Sequence, residues 1–456
     1  MSSETIAEAI PMQKPVRSHE LLVRPLLGAG SVSWALGVVL AAIFAWGLFA
    51  WITQVRTGLG VTGMNGRVAW GFYITNFVFF IGISHAGTLI SAMLRLTHAG
   101  WRRPVTRMAE AITVFSLFVA MTQIPVDIGR PERVFHVFFR GLLQGRFNSP
   151  LIWDVTCVSI YFIASIVYLY VPMIPDLARL RDRQADLAGW RRKIYAFLAR
   201  GYQGTPEEQR RLQRWITILA IAIVPIAVSV HTVVSWVFAM TVVPGWHSSI
   251  FGPYFVVGAI WSGIAALLIT MWVFRLVFRL QDYLKYKQFN YLAMLLLTLN
   301  LLYIYFTFAE YLTVFYGQET ADMRVFNELF GGTYGGLMAW GFAIGGTVLP
   351  ALILILSINR PWVMGATMIA SLLTAGGMWI KRFLIIVPSL TQPILEGMET
   401  GSYRPSWVEW SIVAAAFALF GLLYLIFIRV FPIVSFWEMD ELEEEGAATA
   451  EAIPAS

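Results

Sequence analysis

Four charged residues crowd into Asp127-Ile-Gly-Arg-Pro-Glu-Arg133, where the apolar run from Ala109 to Val126 ends. Charge at the edge of hydrocarbon is costly and calls for a partner or a task. Gly129 and Pro131 stop a helix and turn the chain, which holds Asp127 and Arg130 near a membrane surface. Three further titratable groups belong with them: His85 inside the preceding apolar segment, His136 in the loop after the motif, and Asp154 one turn into the next segment. Burial and neighbours can tune carboxylates and imidazoles to accept protons near neutrality. That suits oxidation of a lipid-soluble quinol, which loses two protons with its two electrons. Such a reaction needs a pocket open to lipid, partners for two hydroxyls, and a base. Asp154, His136 and His85 are the candidate catalytic residues; Asp127 and Arg130 join them as candidate quinol ligands. Plainer readings stand beside this one. Asp127 and Arg130 could pair and brace the turn, and Asp154 and His136 could be solvated interfacial groups.

A second set lies further along. His231 falls mid-segment beside Ser229, Thr232 and Ser235, Glu310 lies well inside another segment, and Lys381 and Arg382 are adjacent inside a third. Buried charges of opposite sign usually pair, which predicts Glu310 against Lys381 or Arg382. The functional alternative is a proton pathway through His231, Glu310, Lys381 and Arg382.

Cofactor ligands are scarce. Cys157 is the single cysteine, so an iron–sulfur cluster, a thiolate zinc site or an internal disulfide has no ligands here. No Cys-x-x-Cys-His motif, P-loop or dinucleotide fingerprint occurs. His85 and His231 alone could ligate a buried haem, and neither sits in a repeated histidine pattern. The expectation is a chain with no haem or cluster of its own, which must borrow cofactors for any redox chemistry.

The elements that position these residues are membrane helices. The chain has 456 residues, 58% hydrophobic and only 13% charged, against about 25% charged in soluble domains. Ten apolar stretches reach the roughly 20 residues a span requires: 31–54, 69–94, 108–127, 151–174, 215–240, 253–278, 289–316, 334–357, 362–388 and 407–432. They lack the alternation of a membrane barrel, so the fold class is all-α integral membrane. Gly71-Phe-Tyr73 with Gly82 and Gly252-Pro-Tyr254 with Gly263 hint at an internal duplication. It predicts two four-helix bundles, about 69–174 and about 215–388, with the first and last spans peripheral and the fifth at the boundary.

Basic residues set the orientation. The loops on one side hold only Arg56, Arg67, Arg130, Arg133, Arg140, Arg146, Arg324 and Arg404, while most of the 33 Lys and Arg residues lie on the side of the termini. Positive residues stay inside, so both termini are expected in the cytoplasm of an inner-membrane protein. The net charge of +6 follows from this topology and does not point to nucleic acid. No cleavable signal is expected. Residues 1–30 form a cytoplasmic segment, 433–456 an acidic tail whose end from Glu438 reads as solvated, and 175–214 a cytoplasmic loop. In that loop Leu180, Leu187, Trp190, Ile194, Phe197 and Leu198 alternate with basic residues, as in a helix lying on an anionic membrane surface or a merely solvated one.

The Asp127–Arg133 motif, followed by Asn148-Ser-Pro-Leu-Ile-Trp-Asp154, resembles the signature of the NrfD, or polysulfide reductase membrane-subunit, family. Ser229-Val-His231-Thr-Val-Val-Ser-Trp236 with Pro244-Gly-Trp-His247-Ser-Ser-Ile-Phe-Gly-Pro-Tyr254 is similar to its ActC branch, from alternative complex III. The resemblance covers nearly the whole chain. It implies a subunit that binds menaquinol or ubiquinol as substrate and carries no redox cofactor. Electrons would pass to an extracytoplasmic iron–sulfur subunit and c-type cytochrome subunits, beside a second NrfD-like membrane subunit and with proton translocation an open matter. It also implies a quinone pocket in the first bundle near the outer surface, on Asp127, Arg130 and Asp154. Two rivals remain: a secondary transporter with a charged midplane site, and a structural anchor for partner subunits.

Overall fold

The computed structural model describes residues 20–28, 30–145, 148–183, 189–395 and 397–442. All ten expected spans are helices, and no strand occurs among the described residues. A short helix α1 (Glu20–Leu27) precedes α2 (Ser31–Thr57), α3 (Phe72–Leu96) and α4 (Thr106–Ile128). Helix α5 (Val134–Leu143) lies between spans, and α6 (Pro150–Tyr170) runs through one tight turn into α7 (Ile174–Arg183). Then come α8 (Gly189–Leu198), α9 (Pro206–Ala239), α10 (Phe251–Val277), α11 (Tyr286–Gly317) and the short α12 (Thr320–Phe330). The last spans are α13 (Leu337–Ser357), π-wound over Leu337–Val348, α14 (Val363–Thr391) and α15 (Trp407–Val430).

Helix α9 starts well before its apolar stretch. Thr205 caps it, accepting from the Glu208 amide at 3.3 Å while Glu208 reaches back to the Thr205 amide at 3.2 Å, and Pro206 fills the first position. This reciprocal cap and a proline preset for helical φ extend the helix through charged residues. Hydropathy alone could not place that start.

Helix α3 occupies the centre. It packs on α4, α9 and α10, while α10 packs in turn on α11 and α14 and α2 lies against α15. Small residues allow the closest approaches. A side chain on Gly263 of α10 would meet the Ala86 Cβ and the Ile83 carbonyl of α3, and one on Gly87 would meet the Ala109 carbonyl of α4. With no hydrophobic drive between helices in lipid, such contacts supply the packing. Gly82 faces Ala259 and Ser262 across the same α3–α10 contact, so the second glycine of each suspected repeat lies at one crossing.

The beginning of the acidic tail corrects an expectation. Glu438 is buried, with Arg95 at 2.9 Å and Arg102 at 3.4 Å. Trp437 and Phe436 are buried beside it, and Asp176 accepts from their amides at 3.1 and 3.3 Å while pairing with Arg107 at 2.7 Å. Two apolar rings in the segment and several arginines at the helix ends make docking better than solvation. Burial pushes the Glu438 carboxyl up, but Arg95, Arg102 and Arg107 outweigh it and hold it below the usual glutamate range. The first turns of the tail therefore belong to the fold; residues from 443 onward lie outside the described part.

Candidate functional site

Helix α4 ends where the motif requires. Gly129 is left-handed, at φ 69°, and its amide bonds the Val126 carbonyl at 3.2 Å. Leu59 fills the space a side chain there would need, so glycine serves both the conformation and the contact. Pro131 then opens a tight turn into α5. Arg130 is exposed at this corner. Among the described residues no ion pair joins it to Asp127, so the mutual brace is not what holds the turn. The bracing comes from α2, where Gln54 donates to the Val126 carbonyl at 2.7 Å and accepts from Tyr73 at 2.5 Å.

Asp127 is half-buried, with one carboxylate oxygen buried and unpartnered. A second carboxylate, Glu409, acts on it electrostatically. Glu409 is fully buried and saturated: it accepts from Tyr403 at 2.5 Å, from the Gly63 amide at 2.7 Å and from the Ser406 amide at 2.9 Å. Burial and then Glu409 push the Tyr403 hydroxyl above its ordinary range, so Tyr403 is a proton donor to Glu409.

Asp154 has a different setting. It sits in the second turn of α6, 4% exposed, with one carboxylate oxygen that has no partner among the described residues. Its helix packs on α9 and α4, and α5 lies over the start of α6, where Ile152 meets Gly141. His136 is exposed on α5, beside exposed Phe135 and Phe139. No hydrogen bond or ion pair among the described residues links Asp127, Asp154 and His136. They share one end of the bundle without forming one contact cluster.

His85 is much deeper. It lies about 20 Å along α3 from Phe72, whereas Asp154 is about 6 Å from the start of α6. Its imidazole nitrogens lie 2.8 Å from the Ile81 carbonyl and 2.7 Å from the Ala227 carbonyl of α9. The ring stands 4.4 Å from that of His231, edge to face. The structure thus joins two histidines that the sequence pattern put in separate sets. Among the described residues neither buried nitrogen of His231 has a hydrogen-bond partner within 3.5 Å. With one ring on two carbonyls and the centroids this close, no space for a macrocycle exists between them.

From His85 a line of hydroxyls runs toward the face that carries the chain termini. Tyr161 bonds Thr88 at 2.6 Å and the Ser84 carbonyl at 3.2 Å. Ser91 bonds Glu110 at 2.6 Å, and Arg95 lies 3.9 Å from that carboxylate. Glu110 is fully buried and was missed as a site residue. A lone acid one residue into an apolar run was the available signal.

The second set departs from its expected pairing. Among the described residues Glu310 makes no ion pair with Lys381 or Arg382, and one of its oxygens is buried without a partner. Lys381 donates instead to Tyr311 at 2.7 Å, with its ammonium over the Tyr311 and Phe342 rings at 4.8 and 4.9 Å. Aromatic faces hold a desolvated cation well. Glu310, Lys381, Asp322 and Ser389 line a cavity of about 40 Å³, room for about two or three waters. Arg382 stacks over Phe255 at 4.8 Å, and both its terminal nitrogens are buried and unpartnered. Among the described residues no group of three or more His, Cys, Asp or Glu is placed to hold a metal.

Residues 60–394 match the family model described as polysulphide reductase, NrfD. The chain is 25% identical over 413 residues to a selenate reductase subunit of Mesobacillus selenatarsenatis, covering 87% of this chain and 93% of the relative. It is 25% identical over 431 residues to an Hdr-like menaquinol oxidoreductase integral membrane subunit of Archaeoglobus fulgidus, covering 90% and 96%. A putative dimethyl sulfoxide reductase membrane subunit of Halobacterium salinarum is 32% identical over 248 residues, about half of each chain.

Proposed function

The chain belongs to the NrfD polysulphide reductase family and is a multi-pass membrane protein, and on that premise we propose that it is the quinol-binding membrane subunit of an oxidoreductase complex. The family match across residues 60–394 carries this reading. The relative named as a menaquinol oxidoreductase subunit supports menaquinol over ubiquinol as substrate. An alternative complex III-like assembly is the form we favour. In it an extracytoplasmic iron–sulfur subunit and c-type cytochrome subunits take the electrons, and a second NrfD-like subunit stands beside this chain.

In this mechanism quinol reaches the outer end of α4 and α6 from the membrane. Asp154, buried with an unused acceptor oxygen, takes a proton from one hydroxyl. Asp127, with its own unpartnered oxygen, and exposed His136 are acceptors on the path of the other. The two electrons leave to the partner docked on loop 128–149, which carries Arg130, Arg133, Arg140 and Arg146, and quinone returns to lipid. His85 is too deep to touch the same ring as Asp154, so we assign it with His231 to the proton route inward. Glu310, Lys381 and Arg382 line the route in the second half. Both termini are then cytoplasmic and the Asp127 end faces outward.

Asp154→Asn in the purified complex tests this. Expected is a fall in quinol oxidation of at least 100-fold with assembly intact, since a positioned base contributes about 10²–10⁴-fold. Unchanged turnover removes Asp154 from the site. Purification of the chain without redox partners, with substrate flux into vesicles, would favour the transporter reading instead.

A further inference from the structure

The structure sorts the loop that follows α7 in a way its sequence does not. Helix α8 turns Tyr195 inward, fully buried, and leaves Trp190, Ile194 and Phe197 at 54%, 36% and 79% exposure. Three contacts fix its level. Tyr195 donates to the Val430 carbonyl at the last residue of α15, at 2.7 Å. Arg191 donates to the Leu26 carbonyl, just before α2 begins. Tyr170, the last residue of α6, donates to the Leu198 carbonyl at 2.5 Å. Helix α8 therefore lies across the ends of α15 and α6 and against α1, at the level where spans end and headgroups begin. Large apolar side chains exposed at that level meet lipid.

The same helix carries consecutive cations. Arg192 and Lys193 are exposed. Arg191 lies 5.3 Å from the centroid of the Trp190 ring, and its Nε is buried without a hydrogen-bond partner among the described residues. No acidic residue occurs between Gly189 and Gly204. Guanidinium and ammonium groups beside an indole, above an apolar face, are complementary to a phosphate whose acyl chains run down into the membrane.

We propose that α8 is an anionic-phospholipid site in the leaflet on the side of the chain termini. Trp190, Ile194 and Phe197 enter the acyl region, while Arg191, Arg192 and Lys193 hold the phosphate. Because Tyr195, Arg191 and Leu198 tie α8 to α15, α1 and α6, the bound lipid clamps two spans and the short α1 together.

Native mass spectrometry of the purified full chain with phosphatidylglycerol or phosphatidylcholine tests it. Expected is tighter binding of phosphatidylglycerol. Arg192→Gln with Lys193→Gln should weaken that binding by about 30-fold, near fivefold per charge, with little change for phosphatidylcholine. Trp190→Ser with Phe197→Ser should weaken both lipids alike. Both pairs are exposed, so folding is not at stake. Equal binding of the two lipids by the unaltered chain, or a phosphatidylglycerol preference that survives Arg192→Gln/Lys193→Gln, overturns the proposal. So does a Phe197→Cys photo-crosslink in the intact complex that captures a protein subunit instead of lipid.

Discussion

Replacing Glu438 by glutamine should unfasten the chain's C-terminal segment from the helix ends. The carboxylate sits between Arg95 at 2.9 Å and Arg102 at 3.4 Å, with the Thr106 hydroxyl at 3.4 Å, and is 2% exposed. Glutamine keeps the shape and one acceptor but removes the charge, leaving buried Arg95 beside half-buried Arg102. Removing one partner of a buried pair costs about 3–5 kcal/mol. Arg95 keeps Glu110 at 3.9 Å as a second carboxylate, so the lower end, about 3 kcal/mol, is expected. The sign with pH follows from the depressed folded-state pKa. Stability from the carboxylate is complete above the ordinary glutamate range and is lost as the pH falls through the lower folded value. Reversible unfolding of the chain in lipid nanodiscs, followed from neutral pH downward, measures both effects. The two proteins should differ by about 3 kcal/mol at pH 7 and converge in acid. A difference below about 0.5 kcal/mol, as for an exposed pair, or one that does not shrink in acid, refutes the ionic clamp.

Two further outcomes follow from packing and from the second set of charges. Gly263→Ala should cost about 1–3 kcal/mol in the same unfolding assay, because its Cβ meets the Ala86 side chain and the Ile83 carbonyl. Gly376→Ala, which meets nothing within 4 Å, should be neutral or gain up to about 1 kcal/mol. Tyr311→Phe should cost about 1–3 kcal/mol by stranding the Lys381 ammonium, and adding Lys381→Met should recover much of that loss. Additive losses would place the partner of Lys381 elsewhere.

The spans were legible because a run of about 20 apolar residues has few other uses. Rotation about each helix axis was not. Helix α3 shows why: it is buried on nearly every side, so no lipid-facing stripe marks which face carries His85. Its meeting with His231 was therefore hidden. The pairing rule for buried charges failed at Lys381 for a related reason, since aromatic rings and a phenol can replace a carboxylate and rings are everywhere in this sequence. Glu438 was misread because an acidic run resembles a solvated end, while the arginines that receive it lie more than 300 residues earlier. Glu110 was visible as an acid inside a span but had no motif around it.

Asp127 and Asp154 sit in separate settings, and the helices around them say why. The expectation set α2 and α15 aside as peripheral, yet these two hold the motif turn. Gln54 of α2 binds the Val126 carbonyl, Leu59 occupies the place of a side chain on Gly129, and Glu409 of α15 fixes the adjacent loop through Gly63. The glycine, and the helix end it makes, is thus a structural device whose partners are known. Asp127 stands out within it as the member whose oxygen that scaffold leaves unused. Asp154 belongs to another wall, on α6 against α9 and α4, and also has an unused oxygen. A helix end clamped by α2 and a buried acid on α6 leave two unused acceptor oxygens at the same end of the bundle. In the proposed mechanism each quinol hydroxyl would lose its proton to a different one of these carboxylates.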